Sequence, residues 1–448
     1  MEICTEAHLG WSMTRTLAFR DGCALPHLLL MFNLVALEQE FSMKFDLHLR
    51  SQVRDQFNTL ASDMQAWQAQ PRIQEDEVEQ LKAAIATFPH TTERENLILA
   101  GVDGSGDFPL LSYADSFVYL AVAQVTAYQA DRLCGLKEVA IAAEPIFQTV
   151  WLTEDKAMSD QALDRVFGEL AGMEPLAVIQ ASDYRILKAQ VSGKRLSPEQ
   201  LLSELIRPHV SDTGNLAIQL RSAAEFGAAL RLLAGESLPQ YLVVDTTFSL
   251  PLVSNTANSL FYEHLKRLCC VRARSQGVGF FALSKSHGLP AMEVLEDLVR
   301  EVQGREPGQA AEHWYLRIPE QSRDGWELSL TEGRRIPPPG TVSYLVRFHR
   351  TTPVMRLDMD LGYWETAVKG ATEEETRSRE RKIFADLDYA CHDQRVYGYP
   401  YPIKAAHDRA SLTQAERVAF RKQLIAAAVK QGMSPALFRD PSQATGHR

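Results

Sequence analysis

Cysteine is scarce in this chain: six residues among 448, with no Cys-x-x-Cys pair and one adjacent pair, Cys269-Cys270. That excludes a disulfide-stapled framework and a zinc knuckle, and it points to a reduced, intracellular (cytoplasmic) protein. Excess positive charge is absent too, with 47 Lys and Arg against 57 Asp and Glu for a net charge of -10. A wholly basic nucleic-acid coat is thereby excluded; a polyanion would have to meet a local basic patch or bound cations. A bilayer-spanning run is missing. Ala24 to Leu37 is apolar, with Arg15 and Arg20 upstream as in a signal peptide, but it is short and carries Pro26, His27 and Asn33. No small-x-small cleavage site follows it, whereas Glu38-Gln39-Glu40 does, so no membrane partner is expected. Internal repeats and low-complexity segments are absent as well.

What is present is the composition of a soluble globular protein, 45% apolar and 23% charged. The length suffices for one large domain with additions, or for two. Residues 1–42 read as an N-terminal extension outside the functional protein, since Met43 offers a second start. Residues 43–95 read as a helical segment: from Leu47 to about Phe88 apolar residues recur every three or four positions without a glycine, and Pro71 splits the run in two. The main domain is expected over 96–432, with a helical insertion at about 155–210, where Ser197, Pro198 and Gln200 form a capping-box start. Residues 433–448 read as a flexible tail.

The chain is organised around Asn96-Leu97-Ile98-Leu99-Ala100-Gly101-Val102-Asp103-Gly104-Ser105-Gly106, an apolar run of strand length that ends on a carboxylate and a tight turn. The pattern recurs at Tyr241-Leu242-Val243-Val244-Asp245-Thr246-Thr247. Two strands each ending on aspartate suit a two-cation phosphodiester site, because hard cations want oxygen ligands on rigid supports. Aspartate also ends strands for ordinary reasons, since Asp-Gly begins turns and Asp caps helices. Both readings stand at this point.

Phe117 to Ala127 forms a second strand, antiparallel to the first because the connection is short, and Glu138 to Leu152 supplies another. Ser222 to Gly235 reads as a helix with a glycine stop, in which Ser222 and Glu225 make a capping box; a cap competes with a site role for Glu225. Asn258 to Ser275 is helical and carries Lys266, Arg267, Arg272 and Arg274, and the strand after it delivers Lys285 to its end. Strand, helix, strand at this spacing is a βαβ crossover, so Asp245 and Lys285 are expected at one sheet edge. Lys285 suits a phosphate and equally a solvated strand end, while the arginines fit a solvated helix face or a DNA track. Trp314 to Ile318, Val342 to Phe348 and Val354 to Met359 are further strands, Pro337-Pro338-Pro339-Gly340 marks a loop, and Glu373 to Lys382 opens a helix. Near the end, a Pro/aromatic loop from Val396 runs into a short helix carrying His407, and a new helix opens at Ser411 with Gln414 three residues on.

The order of these features resembles the NurA nucleases. The shared pattern is Asp103-Gly104-Ser105, Glu225 shortly before Asp245, Lys285 after one crossover, and Gly398-Tyr399-Pro400-Tyr401-Pro402-Ile403-Lys404-Ala405-Ala406-His407, over about Asn96 to Ala428. The resemblance implies an α/β fold with an RNase H-like mixed sheet flanked by helices. It also implies a manganese-dependent deoxyribonuclease, a 5′–3′ exonuclease and single-strand endonuclease, that resects DNA ends in repair or defence with a HerA-type hexameric ATPase and works as a homodimer.

By the same resemblance Asp103, Glu225, Asp245 and His407 are metal ligands, and the active-site tyrosine is Tyr344 in preference to Tyr315. Two Mn²⁺ ions about 4 Å apart are then expected, with Mg²⁺ as a substitute. A neutral His407 favours Mn²⁺ among these. Lys285 would bind a phosphate oxygen, Tyr344 would stack a base, and Arg272 and Arg274 would contact DNA. Two departures stand out: Thr246-Thr247 replaces the Gly-Ser usual after the second aspartate, and the segment between Asp103 and Glu225 is long. A degenerate scaffold docked on an ATPase, and a phosphohydrolase of the same fold acting on RNA or nucleotides, are the alternative readings.

Overall fold

The computed structural model describes residues 47–68, 75–106, 109–113, 115–131, 135–140, 144–183, 213–248, 260–285, 292–306, 309–318 and 340–439. The expected N-terminal extension, the Ser197 capping box, the second half of the helical insertion, Pro337 to Pro339 and the last residues of the tail lie outside them. The chain divides into two units, Met1–Gln70 and Pro71–Arg448. The described part of the first is helix α1 (Leu47–Gln68), whose described side chains are mostly exposed.

The second unit contains, in order, α2 (Glu75–Ala84), β1 (Ile85–Thr87), β2 (Ile98–Ser105), β3 (Leu111–Tyr113), β4 (Ser116–Asp131), β5 (Gly135–Glu138) and β6 (Ile146–Thr153). Helices α3 (Lys156–Ala171), α4 (Pro175–Ala181) and α5 (Thr213–Leu233) follow, then β7 (Tyr241–Val244), α6 (Leu260–Ser275), β8 (Gly279–Ser284) and α7 (Met292–Val302). Strands β9 (Trp314–Arg317), β10 (Thr341–Arg347) and β11 (Met355–Asp360) lead to α8 (Glu373–Ala390), the small hairpin β12 (His392–Asp393) and β13 (Val396–Tyr397), α9 (Tyr401–Ala410) and α10 (Gln414–Lys430).

Among the described residues one mixed sheet of eleven strands organises this unit, in the order β1-β9-β10-β11-β8-β7-β2-β4-β3, with β5 and β6 also paired to β4. Its centre is β6-β4-β2-β7-β8. The first two pairings are antiparallel, whereas β7 runs parallel to β2 and β8 parallel to β7. Three antiparallel strands continued by two parallel ones is the RNase H-like arrangement expected. Every residue of β7 and β8 is buried, which is why both read as unbroken apolar runs instead of alternating ones.

Helices cover both faces. Against one pack α3 to α6, with Leu163, Phe167, Leu220, Phe226 and Leu268 buried there. Against the other pack α8 and α9, with Phe384, Leu387 and Ile403 beside Tyr315 and Tyr344 of the sheet. Each fully buried Leu or Phe of this kind contributes roughly 1.5–3 kcal/mol.

Three local expectations are corrected. The helical run to Phe88 stops at Ala84, because Ile85, Ala86 and Thr87 pair antiparallel with Leu316, Tyr315 and Trp314. Buried pairing overrides the helical period there. Helix α5 begins at Thr213, nine residues before Ser222, so Ser222 and Glu225 sit inside it and form no N-cap. Helix α10 is capped by Thr413, whose side chain accepts from the Glu416 N–H while Glu416 accepts from the Thr413 N–H. Ser411 instead closes α9. No helix among the described residues is long and apolar enough to cross a membrane.

Candidate functional site

Asp103 lies in β2, and Asp245 and Lys285 directly follow β7 and β8, so all three emerge at one edge of the sheet as the crossover requires. Lys285 Nζ lies 3.2 Å from Asp245 Oδ2, with the lysine side chain half exposed. The turn beyond Asp245 is tied down from the neighbouring strands. The Phe248 N–H donates to Asp358 Oδ2 at 2.8 Å, and the other oxygen of this buried carboxylate accepts from Ser343 Oγ and Arg356 Nε.

Asp103 is nearly buried. Its Oδ1 accepts from the Gly104 N–H at 2.7 Å, and its Oδ2 lies 2.7 Å from Nδ1 of His407. Burial raises its pKa above the usual carboxylate value; Gly104 and His407 oppose that, and the charge of Asp245 adds to it. Asp245 is therefore close enough to be felt by Asp103. The second ring nitrogen of His407, Nε2, lies 3.1 Å from Ser411 Oγ.

Helix α9 brings His407 here because β2 is bare at Gly101. A Cβ on that glycine would stand 2.3 Å from the Ile403 nitrogen and the Pro402 carbonyl carbon, so only glycine admits the helix backbone. Thr126 Oγ1 fixes the same point by donating to the Pro402 carbonyl at 2.7 Å. From that contact, four residues of helix advance about 6 Å and two of strand about 6.6 Å, which carries His407 abreast of Asp103.

Glu225 arrives from the opposite face on α5, almost fully buried. A Cβ on Gly104 would fall 2.9 Å from its Cγ and 3.1 Å from its Oε1, so the glycine beside Asp103 makes room for the carboxylate. Arg221, one turn earlier, lies 3.4 Å from Glu225 Oε1.

The remaining expected residues are placed elsewhere. Tyr344 is fully buried, with its hydroxyl donating to Glu380 Oε1 at 2.8 Å; Tyr315 donates to the other oxygen of the same carboxylate at 3.1 Å. Neither ring is available to a base, and burial holds the phenol of Tyr344 well above its ordinary pKa. Arg272 and Arg274 sit in the last turn of α6, which runs back from the Asp245 edge to the start of β8, and so they stand at the opposite edge of the sheet. Arg274 is committed there to Asp360 and Asp183 at 2.9 and 3.1 Å.

The tyrosine that lies beside Lys285 is Tyr399. Lys285 Nζ lies 4.0 Å above its ring centre, a cation–π contact. Burial first, and then the nearby Asp245 carboxylate, hold its phenol well above the ordinary value, while its hydroxyl completes no hydrogen bond of good geometry. Its signal was present in the sequence, inside Gly398-Tyr399-Pro400. A groove lined by Gly106, Leu412, Arg417 and Arg421 opens at Gly106, three residues beyond Asp103.

A second group of donors, His90, His313, Asp388 and His392, offers one ligand atom from each residue with all four within 4.8 Å of one another.

No protein-family model and no curated protein matches the chain. Among solved structures it is similar to the NurA nuclease from Sulfolobus solfataricus, with 11% identity and a TM-score of 0.46 over 87% of this chain and 99% of that one. It is also similar to a NurA bound to dAMP and manganese (14% identity, TM-score 0.36, 87% and 99% covered). The Bacillus subtilis endonuclease V gives 12% identity and a TM-score of 0.31, with 77% and 91% covered. Likeness at this level concerns the course of the chain and not its chemistry.

Proposed function

We propose that this chain is a metal-dependent nuclease that hydrolyses phosphodiester bonds in DNA, with Asp103, Glu225, Asp245 and His407 holding manganese. The observation that carries the reading is Asp103 itself: a nearly buried carboxylate clasped by His407 and Gly104, with the charge of Asp245 pressing on it. A donor set of three carboxylates and one imidazole, with repulsion between two of the carboxylates, fits divalent cations of manganese type. When bound, such cations polarise the scissile phosphate and acidify an attacking water.

The side chains of the protein do the rest. Nδ1 of His407 and Oδ2 of Asp103 face each other, and the Ser411 hydroxyl at Nε2 orients the ring. Lys285, steadied by the Tyr399 ring, presents an ammonium group to a non-bridging phosphate oxygen. The groove with Arg417 and Arg421 receives the strand backbone. By its resemblance to the NurA nucleases the proposal extends to 5′–3′ end resection, a homodimer, a HerA-type ATPase partner and a cytoplasmic setting.

The test is cleavage of single-stranded DNA, duplex DNA and RNA by the purified chain with Mn²⁺ or Mg²⁺. Manganese-dependent cleavage of DNA is expected, lost on chelation and in folded Asp103→Asn and Asp245→Asn variants. A folded chain that cuts nothing overturns the nuclease reading and leaves the scaffold one, and cleavage of RNA alone makes it a ribonuclease.

A further inference from the structure

Outside the proposed nuclease site, three histidines and an aspartate from distant parts of the sequence meet at one point. His90 follows β1, His313 precedes β9, Asp388 lies in the last turn of α8, and His392 comes four residues later. The ring centres of His90 lie 5.1 Å from those of His313 and 4.2 Å from those of His392. Asp388, wholly buried, sits among them.

Hydrogen bonding leaves this cluster unfinished. Asp388 Oδ2 is 2.7 Å from His90 Nδ1, a good hydrogen bond. Its other oxygen, Oδ1, is buried with no hydrogen-bond partner, and so is Nε2 of His313. These two orphaned atoms face each other at 3.6 Å, beyond hydrogen-bond reach. His392 Nδ1 lies 2.9 Å from the Asp388 carbonyl oxygen and 3.3 Å from Oδ1. His313 is held with φ at +58°, a conformation a non-glycine residue rarely adopts, in the segment that aims its ring inward.

We propose that His90, His313, Asp388 and His392 bind one divalent transition-metal ion, zinc by preference, as a staple distinct from the nuclease centre. One ligand atom from each of the four lies within 4.8 Å of all the others, the spread that a single four-coordinate ion gathers in. Three imidazoles and one carboxylate suit zinc or a neighbouring first-row ion, in contrast to the carboxylate-rich set around Asp103. Asp388 and His392 flank the end of α8, where the His392 ring turns back onto the Asp388 carbonyl and brings two ligands to one spot.

The ion fastens three segments far apart along the chain: the stretch between β1 and β2, the entry to β9, and the end of α8. His313 and Lys285 share a sheet edge, since Arg347 pairs Trp314, Val346 pairs Met355 and Arg356 pairs Ser284. Strands β9 and β7 are four apart, which at about 4.8 Å per strand separates the staple from Asp245 by on the order of 15–20 Å. The link between them is short in sequence. Cys391, beside His392, accepts the Gly398 N–H at 2.6 Å, and Tyr399 follows at once.

The test needs no DNA cleavage and does not depend on the nuclease reading. The full chain carrying Asp103→Asn and Asp245→Asn, stripped with a chelator, is titrated with Zn²⁺ and with Co²⁺. One equivalent of either ion is expected per chain, with the intense visible bands of four-coordinate cobalt and a higher melting temperature. Adding His90→Gln, at a partly exposed position, should abolish the bands and the thermal shift while far-UV circular dichroism is kept; His313→Ala should do the same. Unchanged Co²⁺ uptake in the His90→Gln chain overturns the proposal. So does failure of the parent chain to take up one equivalent, a result that holds whether or not the other variants fold.

Discussion

His407 presents Nδ1 to Asp103 Oδ2 at 2.7 Å across 304 residues of sequence. The contact exists because α9 lies directly on Gly101, where any side chain would enter the helix backbone. Gly101→Ala is expected to cost about 1–3 kcal/mol, the usual range for overpacking, and to lift His407 away from Asp103. Urea unfolding and Mn²⁺-dependent cleavage measured together check it: both should fall.

Removing the imidazole alone should separate those two effects. His407 is about half exposed, so His407→Ala leaves the core intact. Cleavage should drop by at least about a hundredfold, the scale for losing a metal ligand or its support, with the melting temperature nearly unchanged. Retained activity in this variant would remove His407 from the site.

The two tyrosines should behave in opposite ways. Tyr344→Phe leaves Glu380 buried with one donor fewer and is expected to cost roughly 1–3 kcal/mol of stability, with turnover per folded molecule unchanged. Tyr399→Phe removes a hydroxyl beside Asp245 that completes no hydrogen bond of good geometry, so stability should hold while turnover falls. Denaturant midpoints and turnover for each variant decide.

The DNA path is expected along α10 and not along α6. Arg417→Glu with Arg421→Glu should weaken binding and reduce its salt dependence, whereas Arg272→Glu, at the far edge of the sheet, should do neither. Binding to labelled oligonucleotides at several salt concentrations measures both.

Asp183, just beyond α4, ties that helix to α6 by accepting from Arg267 at 2.7 and 2.8 Å and from Arg274 at 3.1 Å. Burial pushes its pKa up, but the two guanidinium groups outweigh burial and leave it below the ordinary value. A depressed folded-state value means stabilisation present above the unfolded pKa of about 3.9 and lost as pH falls through the folded one. Asp183→Asn should therefore cost roughly 1–2 kcal/mol at neutral pH and flatten the acid limb of stability below about pH 4. Thermal unfolding as a function of pH shows it.

Much of the fold was legible because it is written locally. Apolar runs the length of a strand mark β2, β7 and β8, and each ends on the residue that its edge displays, Asp103, Asp245 or Lys285. The crossover rule then put Asp245 beside Lys285, where the structure has them. Local patterns also misled. Ser222 and Glu225 have capping-box spacing but sit inside a helix that began nine residues earlier, and Ile85 continues a helical period yet pairs as a strand.

By itself the sequence determined the strands that end at Asp103, Asp245 and Lys285, the order of the acidic residues and the helix that carries His407, because side-chain period and turn chemistry act over a few residues. Tertiary structure alone decided that Tyr399 and not Tyr344 lies beside Lys285, which edge the arginines occupy, and that His90, His313, Asp388 and His392 meet. Those outcomes depend on how strands and helices far apart in sequence dock. Docking is set by packing at single points, such as the bare backbone of Gly101 under Pro402 and Ile403, which no periodicity records.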